Sequence, residues 1–307
     1  MGATVSAMLG LLRPKQWLKN ALVFGPLVFA NAFDQPAKVV KALLCFLAMC
    51  LVSSATYTFN DLVDAERDRH HPRKRLRPVA SGRVSGQSAA VFGLFLLVAG
   101  VAVAAAVNRP TLYLALLYLA FQAAYNLRVK QVPIADAFLI ASGFVLRAVI
   151  GAAAIAVSIS GWLLFCTGAL ALMFAFAKRR AEYVAQGEFR ANSRESLEGY
   201  TKPTLDALFL LSAISSLVCY GIYSIESRTA HEHPGLILTT VIVAYAVCRY
   251  VMLVLGRDQG EEPESLLLRD PQIIACLVLF LLASLYAMKS PRLPLIEPGA
   301  VPIRSDR

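Results

Sequence analysis

Nine apolar stretches, each near the roughly 20 residues that cross a bilayer as a helix, run through this chain. They fall at about 20–34, 41–59, 88–107, 111–127, 133–156, 161–177, 204–224, 235–256 and 271–288. The first is the shortest. The polar segments between them leave no room for a soluble domain. The two longest, near 60–87 and 178–203, hold under 30 residues each, so they are expected as cap loops or short cap helices. The pattern predicts an all-α integral membrane protein of nine transmembrane helices, one membrane-embedded domain over 1–307 with an exposed tail at 290–307.

Composition agrees with this reading. Hydrophobic residues make up 57% of the 307 positions and charged residues only 16%, with a mean hydropathy of +0.59, outside the range of ordinary soluble domains. Charge then sets orientation. With the N-terminus placed in the cytoplasm, 20 Lys and Arg fall on that side and 8 on the other, with Arg147 and Arg249 inside spans. This bias predicts N-in, C-out topology with both long polar segments cytoplasmic. The net charge of +10 is read as basic loops held against anionic lipid, and no nucleic-acid partner is expected. Cys45, Cys50, Cys166, Cys219, Cys248 and Cys276 all lie in apolar spans without CxxC spacing, the pattern of ordinary buried thiols. The N-terminal residues lack a cleavable signal pattern.

The chemistry gathers between the second and third apolar stretches. There Asn60-Asp61-Leu62-Val63-Asp64-Ala65-Glu66-Arg67-Asp68 precedes the basic run His71-Pro72-Arg73-Lys74-Arg75-Leu76-Arg77-Pro78. If helix continues through 58–68, Asn60, Asp64 and Asp68 recur at i, i+4 and i+8, with Asp61 on the flank of the same face. Carboxylates at that spacing repel one another and call for a cation. Few hard oxygen ligands suit Mg²⁺ that keeps waters and binds substrate phosphate. The competing reading is a solvated, charge-mixed helix end in which Glu66, Arg67 and Arg69 accompany the aspartates and the two arginines neutralise them.

Further motifs carry a resemblance. Tyr125-Asn126-Leu127-Arg128-Val129-Lys130, Arg13-Pro14-Lys15-Gln16-Trp17-Leu18-Lys19-Asn20 and Arg77-Pro78-Val79-Ala80-Ser81-Gly82, with the acidic motif, closely resemble the UbiA-type superfamily of intramembrane prenyltransferases over nearly the whole chain. The resemblance implies nine helices around a central cavity. It also implies Mg²⁺ and diphosphate held by Asn60, Asp61, Asp64 and Asp68, with Asp61, Asp64 and Asp68 catalytic, and a second motif at Tyr125 and Lys130. Asn126 stands where many members carry serine.

The chain departs from the family after the sixth span. Prenyltransferases carry a second acidic run there, whereas this chain has Ala177-Lys178-Arg179-Arg180-Ala181-Glu182-Tyr183. That substitution is similar to a branch of the superfamily that uses phosphoribosyl diphosphate and a decaprenyl-type polyprenyl phosphate. Ser196-Leu197-Glu198-Gly199-Tyr200-Thr201, Cys248-Arg249-Tyr250 and Glu262-Pro263-Glu264-Ser265-Leu266-Leu267-Leu268-Arg269-Asp270 fit the same branch. The resemblance implies transfer of 5-phosphoribose to the lipid phosphate, release of diphosphate, and a place in the bacterial plasma membrane supplying cell-envelope arabinan precursors.

Such a donor carries a diphosphate that must leave and a 5-phosphate that must be held. One metal-carboxylate cluster and one basic cluster meet that demand. The expected phosphate-binding residues are Lys178 and Arg179, with Lys19, Lys74, Arg77, Tyr125 and Lys130 as further contacts. Glu182 is either a second metal contact or the partner of Arg179 and Lys178. A lipid phosphate is already anionic near neutral pH, so no strong general base is required; His70 and His71 are read as surface histidines of the charged loop, and His231 and His233 are expected on the far side, away from the chemistry. Asp136, Arg147 and Arg249 are ionisable groups inside spans, where charge is costly; each is a structural pair, snorkels to the interface, or lines the lipid-phosphate cavity. Two rivals stand beside this reading: prenyl transfer to an aromatic or quinone precursor, and transport of a polyprenyl lipid. The sequence leaves homo-oligomerisation open.

Overall fold

The computed structural model describes residues 2–70, 74–186, 195–257 and 263–289, and these contain helices and no strand. His71, Arg73, Glu262 and the expected tail at 290–307 lie outside the described residues. The helices are α1 (Gly2–Leu12), α2 (Gly25–Phe29), α3 (Pro36–Val63), α4 (Ala65–Arg69), α5 (Gly86–Val107), α6 (Arg109–Leu127) and α7 (Ala135–Ala154). They continue with α8 (Gly161–Gln186), α9 (Lys202–Glu226), α10 (Arg228–Glu232), α11 (Thr239–Arg257), α12 (Pro263–Arg269) and α13 (Pro271–Lys289).

Local sequence explains where several of these begin. Ser85 accepts the Ser88 N–H at 3.1 Å ahead of α5, and Asn108 accepts the Thr111 N–H at 2.8 Å ahead of α6. Thr201 does the same for Thr204 ahead of α9. In each case a short polar side chain satisfies a helix-end donor that has no partner in the helix. Pro110 and Pro203 follow within the first turn, where a missing N–H costs nothing.

Among the described residues, seven helices are long and apolar enough to cross a membrane: α3, α5, α7, α8, α9, α11 with its 3-10 lead-in, and α13. The two remaining expected spans differ. The segment 111–127 forms α6, but its 19 residues include Gln122 and three tyrosines. The segment 20–34 is not one helix. A 3-10 helix over Pro14–Phe24 gives way to the five-residue α2. Pro26, which cannot donate a backbone hydrogen bond, restarts the helix there, and Asn31 at φ +47° turns the chain out of it. Outward faces stay apolar: Val91, Leu94, Phe95 and Val98 are exposed along α5.

The chain packs as two units, 1–128 with 146–158, and 129–145 with 159–307, so α7 contributes its first half to the second unit and its last half to the first. In the first unit, Val23, Met49, Val52, Tyr118 and Ile150 form the main core. Gly151 is required there. A Cβ at this position would lie 2.2 Å from the Val23 carbonyl oxygen, so α7 meets the N-terminal segment backbone to backbone. The second unit is built on α8, α9 and α11 around Phe176, Leu205, Phe209, Tyr250 and Leu253, with Phe174 edge-on to Tyr250 at 5.1 Å between centroids.

Candidate functional site

The first unit carries the acidic motif at the end of α3. One face of that helix presents Ser54, Tyr57, Thr58 and Asp61, spaced i, i+3, i+4 and i+7. Ser54 Oγ donates to the Leu12 carbonyl at 2.7 Å and accepts from Trp17 Nε1 at 3.1 Å. The hydroxyl thereby caps the C-terminus of α1 and pins the next turn. Arg13 sits in that turn in the left-handed region at φ 49°, ψ 59°, a conformation usually left to glycine just beyond a helix. The turn delivers its guanidinium over the Tyr57 ring, 5.2 Å from the centroid, and into an ion pair with Asp61.

Helix α3 ends at Val63, with Asp64 as its last cap, and α4 resumes at Ala65. Asp64 N–H still bonds to the Asn60 carbonyl at 2.9 Å, and Asp68 N–H to the Asp64 carbonyl at 2.8 Å. The expected continuous helix is thus kinked at Asp64. Asp61 and Asp68, at i and i+7, keep one face across this break: Arg77 Nη1 lies 3.2 Å from Asp61 Oδ1 and 2.5 Å from Asp68 Oδ2. Both carboxylates are about as buried as core leucines, at 2% and 3% exposure, while Asn60 and Asp64 are half-buried beside them. Arg69 pairs with Glu66 at 2.9 Å. Arg13 and Arg77, from outside the acidic run, therefore supply counter-charge to Asp61 and Asp68.

Among the described residues, no three His, Cys, Asp or Glu side chains are gathered to hold a metal as they stand. The donor set nevertheless fits one. Asp61 and Asp68 reach a single positively charged atom together, and hard carboxylate oxygens converging on one cationic point suit Mg²⁺. Of the other expected contacts in this unit, Lys19 is half-buried in the 3-10 segment, Lys74 is exposed before Arg77, and Tyr125 is half-buried at the end of α6.

The second unit holds the basic run, and its three members go three ways. Lys178 is exposed. Arg179, 1% exposed, donates from Nε to Asp136 Oδ2 at 2.7 Å and pairs with Glu182 one turn on. Arg180, equally buried, reaches Asp206 Oδ1 of α9 at 2.5 Å and the Val254 carbonyl of α11 at 2.9 Å. Successive helical residues point about 100° apart, so three adjacent bases cannot share one face. Lys130 is half-buried in a single 3-10 turn, Val129–Gln131. Nearby, the Tyr200 hydroxyl accepts the Ile134 N–H. Burial pushes the Tyr200 phenol above its ordinary pKa, with that hydrogen bond opposing the shift.

Asp136 and Arg249 resolve as paired groups. Arg249 Nη2 lies 2.8 Å from Asp270 Oδ2, and that contact holds the Asp270 carboxyl below the usual carboxylate range. Arg147 is buried in the first unit, where Nε meets Asn20 Oδ1 at 2.8 Å and Nη2 meets the Tyr118 hydroxyl at 2.7 Å. Sequence reasoning misses the roles of Arg13 and Asp206. Arg13 falls within a basic motif, and its position before proline is the available signal; nothing local marks Asp206.

Residues 21–269 match the UbiA prenyltransferase family. The chain is 32% identical over 278 residues to the decaprenyl-phosphate phosphoribosyltransferase of Mycolicibacterium smegmatis, covering 87% of each protein. It is likewise 32% identical over 279 residues to the protein of the same name from Corynebacterium glutamicum, covering 86% of this chain and 81% of that one. A UbiA homologue from Archaeoglobus fulgidus, solved with DMAPP and Mg²⁺, has the same fold at a TM-score of 0.71 and 18% identity, over 92% of this chain and 98% of that one. With seven helices of membrane-crossing length and apolarity, this chain is a multi-pass membrane protein that belongs to the UbiA prenyltransferase family.

Proposed function

We propose that the chain transfers 5-phosphoribose from phosphoribosyl diphosphate to a polyprenyl phosphate of decaprenyl type. The bond from ribose C1 to the diphosphate oxygen breaks, and a lipid-phosphate oxygen bonds to C1. The basic end of α8 carries this reading: Lys178, Arg179 and Arg180 stand where prenyltransferases of the family carry a second acidic run. Identity of 32% to two phosphoribosyltransferases over most of their length supports it.

Asp61 and Asp68, with Asn60 and Asp64 beside them, would hold Mg²⁺, which supplies charge to offset that on a departing diphosphate. Two buried carboxylates against Arg13 and Arg77 leave this cluster close to neutral before any metal arrives. A divalent cation then makes it positive and suited to an anion. Arg77 contributes a planar donor fork for phosphate oxygens and Lys19, Lys74, Lys130 and Lys178 contribute point charges. Tyr125 adds a hydroxyl. Arg179 already engages Asp136 and Glu182, so its part is to set the charge and placement of the α8 end from which Lys178 makes contact. The bias of 20 basic residues to 8 supports an N-in orientation in a bacterial plasma membrane, with the site on the cytoplasmic face.

The test uses full-length protein in detergent with Mg²⁺, labelled phosphoribosyl diphosphate and a polyprenyl phosphate. Label should enter the lipid fraction only when all three are present. No labelled lipid, together with turnover of a prenyl diphosphate and an aromatic acid, would establish prenyl transfer instead.

A further inference from the structure

The run Ser196-Leu197-Glu198-Gly199-Tyr200 has no part in the phosphate contacts above, yet its placement is closely specified. Leu197 is fully buried and Tyr200 is 5% exposed, both packed with Ala137, Phe176 and Leu205 in the core of the second unit. From that anchor the Tyr200 hydroxyl accepts the N–H of Ile134. Ile134 is at φ +66°, where a β-branched side chain is a true outlier because Cβ crowds the following carbonyl. One residue earlier in the motif, Gly199 lies against Pro133. A Cβ there would come within 2.5 Å of Pro133 Cγ, and a pyrrolidine ring has little freedom to move aside. One side of this contact is a strained turn; the other is a hydrogen-bond acceptor and a gap sized for hydrogen.

The same turn lies between Lys130, given a phosphate role, and Asp136, the partner of Arg179. Lys130 is in the 3-10 helix directly before it, closed by the Val132 N–H to Val129 carbonyl bond at 3.0 Å. Asp136 is directly after it, with its own N–H bonded to the Val132 carbonyl at 3.2 Å, and its carboxylate holds Arg179 Nε at 2.7 Å. Strained backbone persists only where its surroundings over-determine it, and it concentrates at functional sites. We infer that Tyr200, aided by the close approach of Gly199, is a positioning residue: it holds the 132–134 turn with Ile134 in its left-handed form and so sets Lys130 for the donor's phosphate and, through Asp136 and Arg179, the placement of the α8 end.

This inference rests on the proposed phosphoribosyl transfer for its kinetic arm but not for its structural one. Hydrogen exchange is followed in the full-length protein without substrate, and initial rates are measured against phosphoribosyl diphosphate. Tyr200→Phe keeps the ring and removes the acceptor. Exchange in 129–136 should rise about tenfold or more, and the donor KM should rise about tenfold with kcat within about twofold, as expected for loss of one buried partner. Gly199→Ala, which displaces the turn from the other side, should raise the donor KM likewise and serves if Tyr200→Phe does not fold. Adding Ile134→Asn to Tyr200→Phe should recover most of the lost affinity, because asparagine tolerates the left-handed region. A role confined to core packing predicts no such rescue. Unchanged exchange in 129–136, or an unchanged donor KM in an active enzyme, overturns the inference. A wild-type protein that transfers no phosphoribose while Tyr200→Phe still loosens the turn overturns the proposed function and leaves the clamp standing.

Discussion

In sequence, the acidic cluster of the first unit and the basic run of the other unit are equivalent features, each a short charged patch beside an apolar stretch, yet they fold by opposite rules. At the end of α3, Asp61 and Asp68 stand two turns apart at i and i+7 on one side, and both share Arg77. At the end of α8 the helix runs on unbroken to Gln186, and Lys178, Arg179 and Arg180 diverge to solvent, to Asp136 and Glu182, and to Asp206. Charge that converges can bind a ligand carrying several charges. Charge that diverges in a regular helix sends each group to different surroundings, Arg179 and Arg180 to buried ion pairs and Lys178 to an exposed face.

The largest test of this contrast removes the convergence. Asp61→Ala leaves Arg13 and Arg77 without the carboxylate they share and takes away a proposed metal ligand. Breaking a buried pair from one side costs about 3–5 kcal/mol, and transfer should fall below detection. A protein that unfolds several degrees earlier in detergent but keeps near-normal transfer would mean that the cluster is structural only.

The second test separates neighbours on α8. Arg179→Met strands Asp136, which is fully buried, so the folded state should lose about 3–5 kcal/mol. Lys178→Met is an exposed substitution and should stay within about 0.5 kcal/mol of wild type, while raising the KM for phosphoribosyl diphosphate about tenfold, the effect of one lost charged contact. Equal effects of the two variants on stability would erase the distinction between them.

Fold class and the acidic motif are legible in the sequence because each rests on local pattern. Apolar length decides whether a helix can cross a bilayer, and Asn60, Asp61, Asp64 and Asp68 stand within nine residues of one another. Helical spacing puts Asp61 and Asp68, at i and i+7, on one face and Asn60 and Asp64 on its flank, but it does not show that Arg77 is the group both carboxylates meet. Arg13 reaches Asp61 across 48 residues, a separation no periodicity reveals. The first apolar stretch reads as a span because hydropathy does not register the backbone donor that Pro26 lacks. The divergence on α8 is available from helix geometry alone, since about 100° per residue already forbids three adjacent side chains from sharing a face. Asp136 is marked by the cost of charge near a span, and its pairing with Arg179 answers that cost within the second unit.

The smallest effect concerns a pair that converges without forming a cluster. Asp270 accepts from Arg249 and from the N–H groups of Gln272 and Ile273 at 3.1 Å each, capping α13 where Pro271 begins the helix. Its carboxyl titrates below the ordinary value of 3.8, chiefly through the Arg249 hydrogen bond. The folded state therefore binds this proton less readily than the unfolded chain. The stabilisation is fully present above the ordinary carboxylate value and is lost as pH falls through the lower folded value. Thermal unfolding of wild type and Asp270→Asn should show a gap that is constant between pH 7 and pH 5 and narrows below about pH 4. A gap that keeps its size into strong acid would mean that the cap hydrogen bonds, which asparagine can also accept, matter less than the shape of the side chain, and that this ion pair contributes no pH dependence to the second unit.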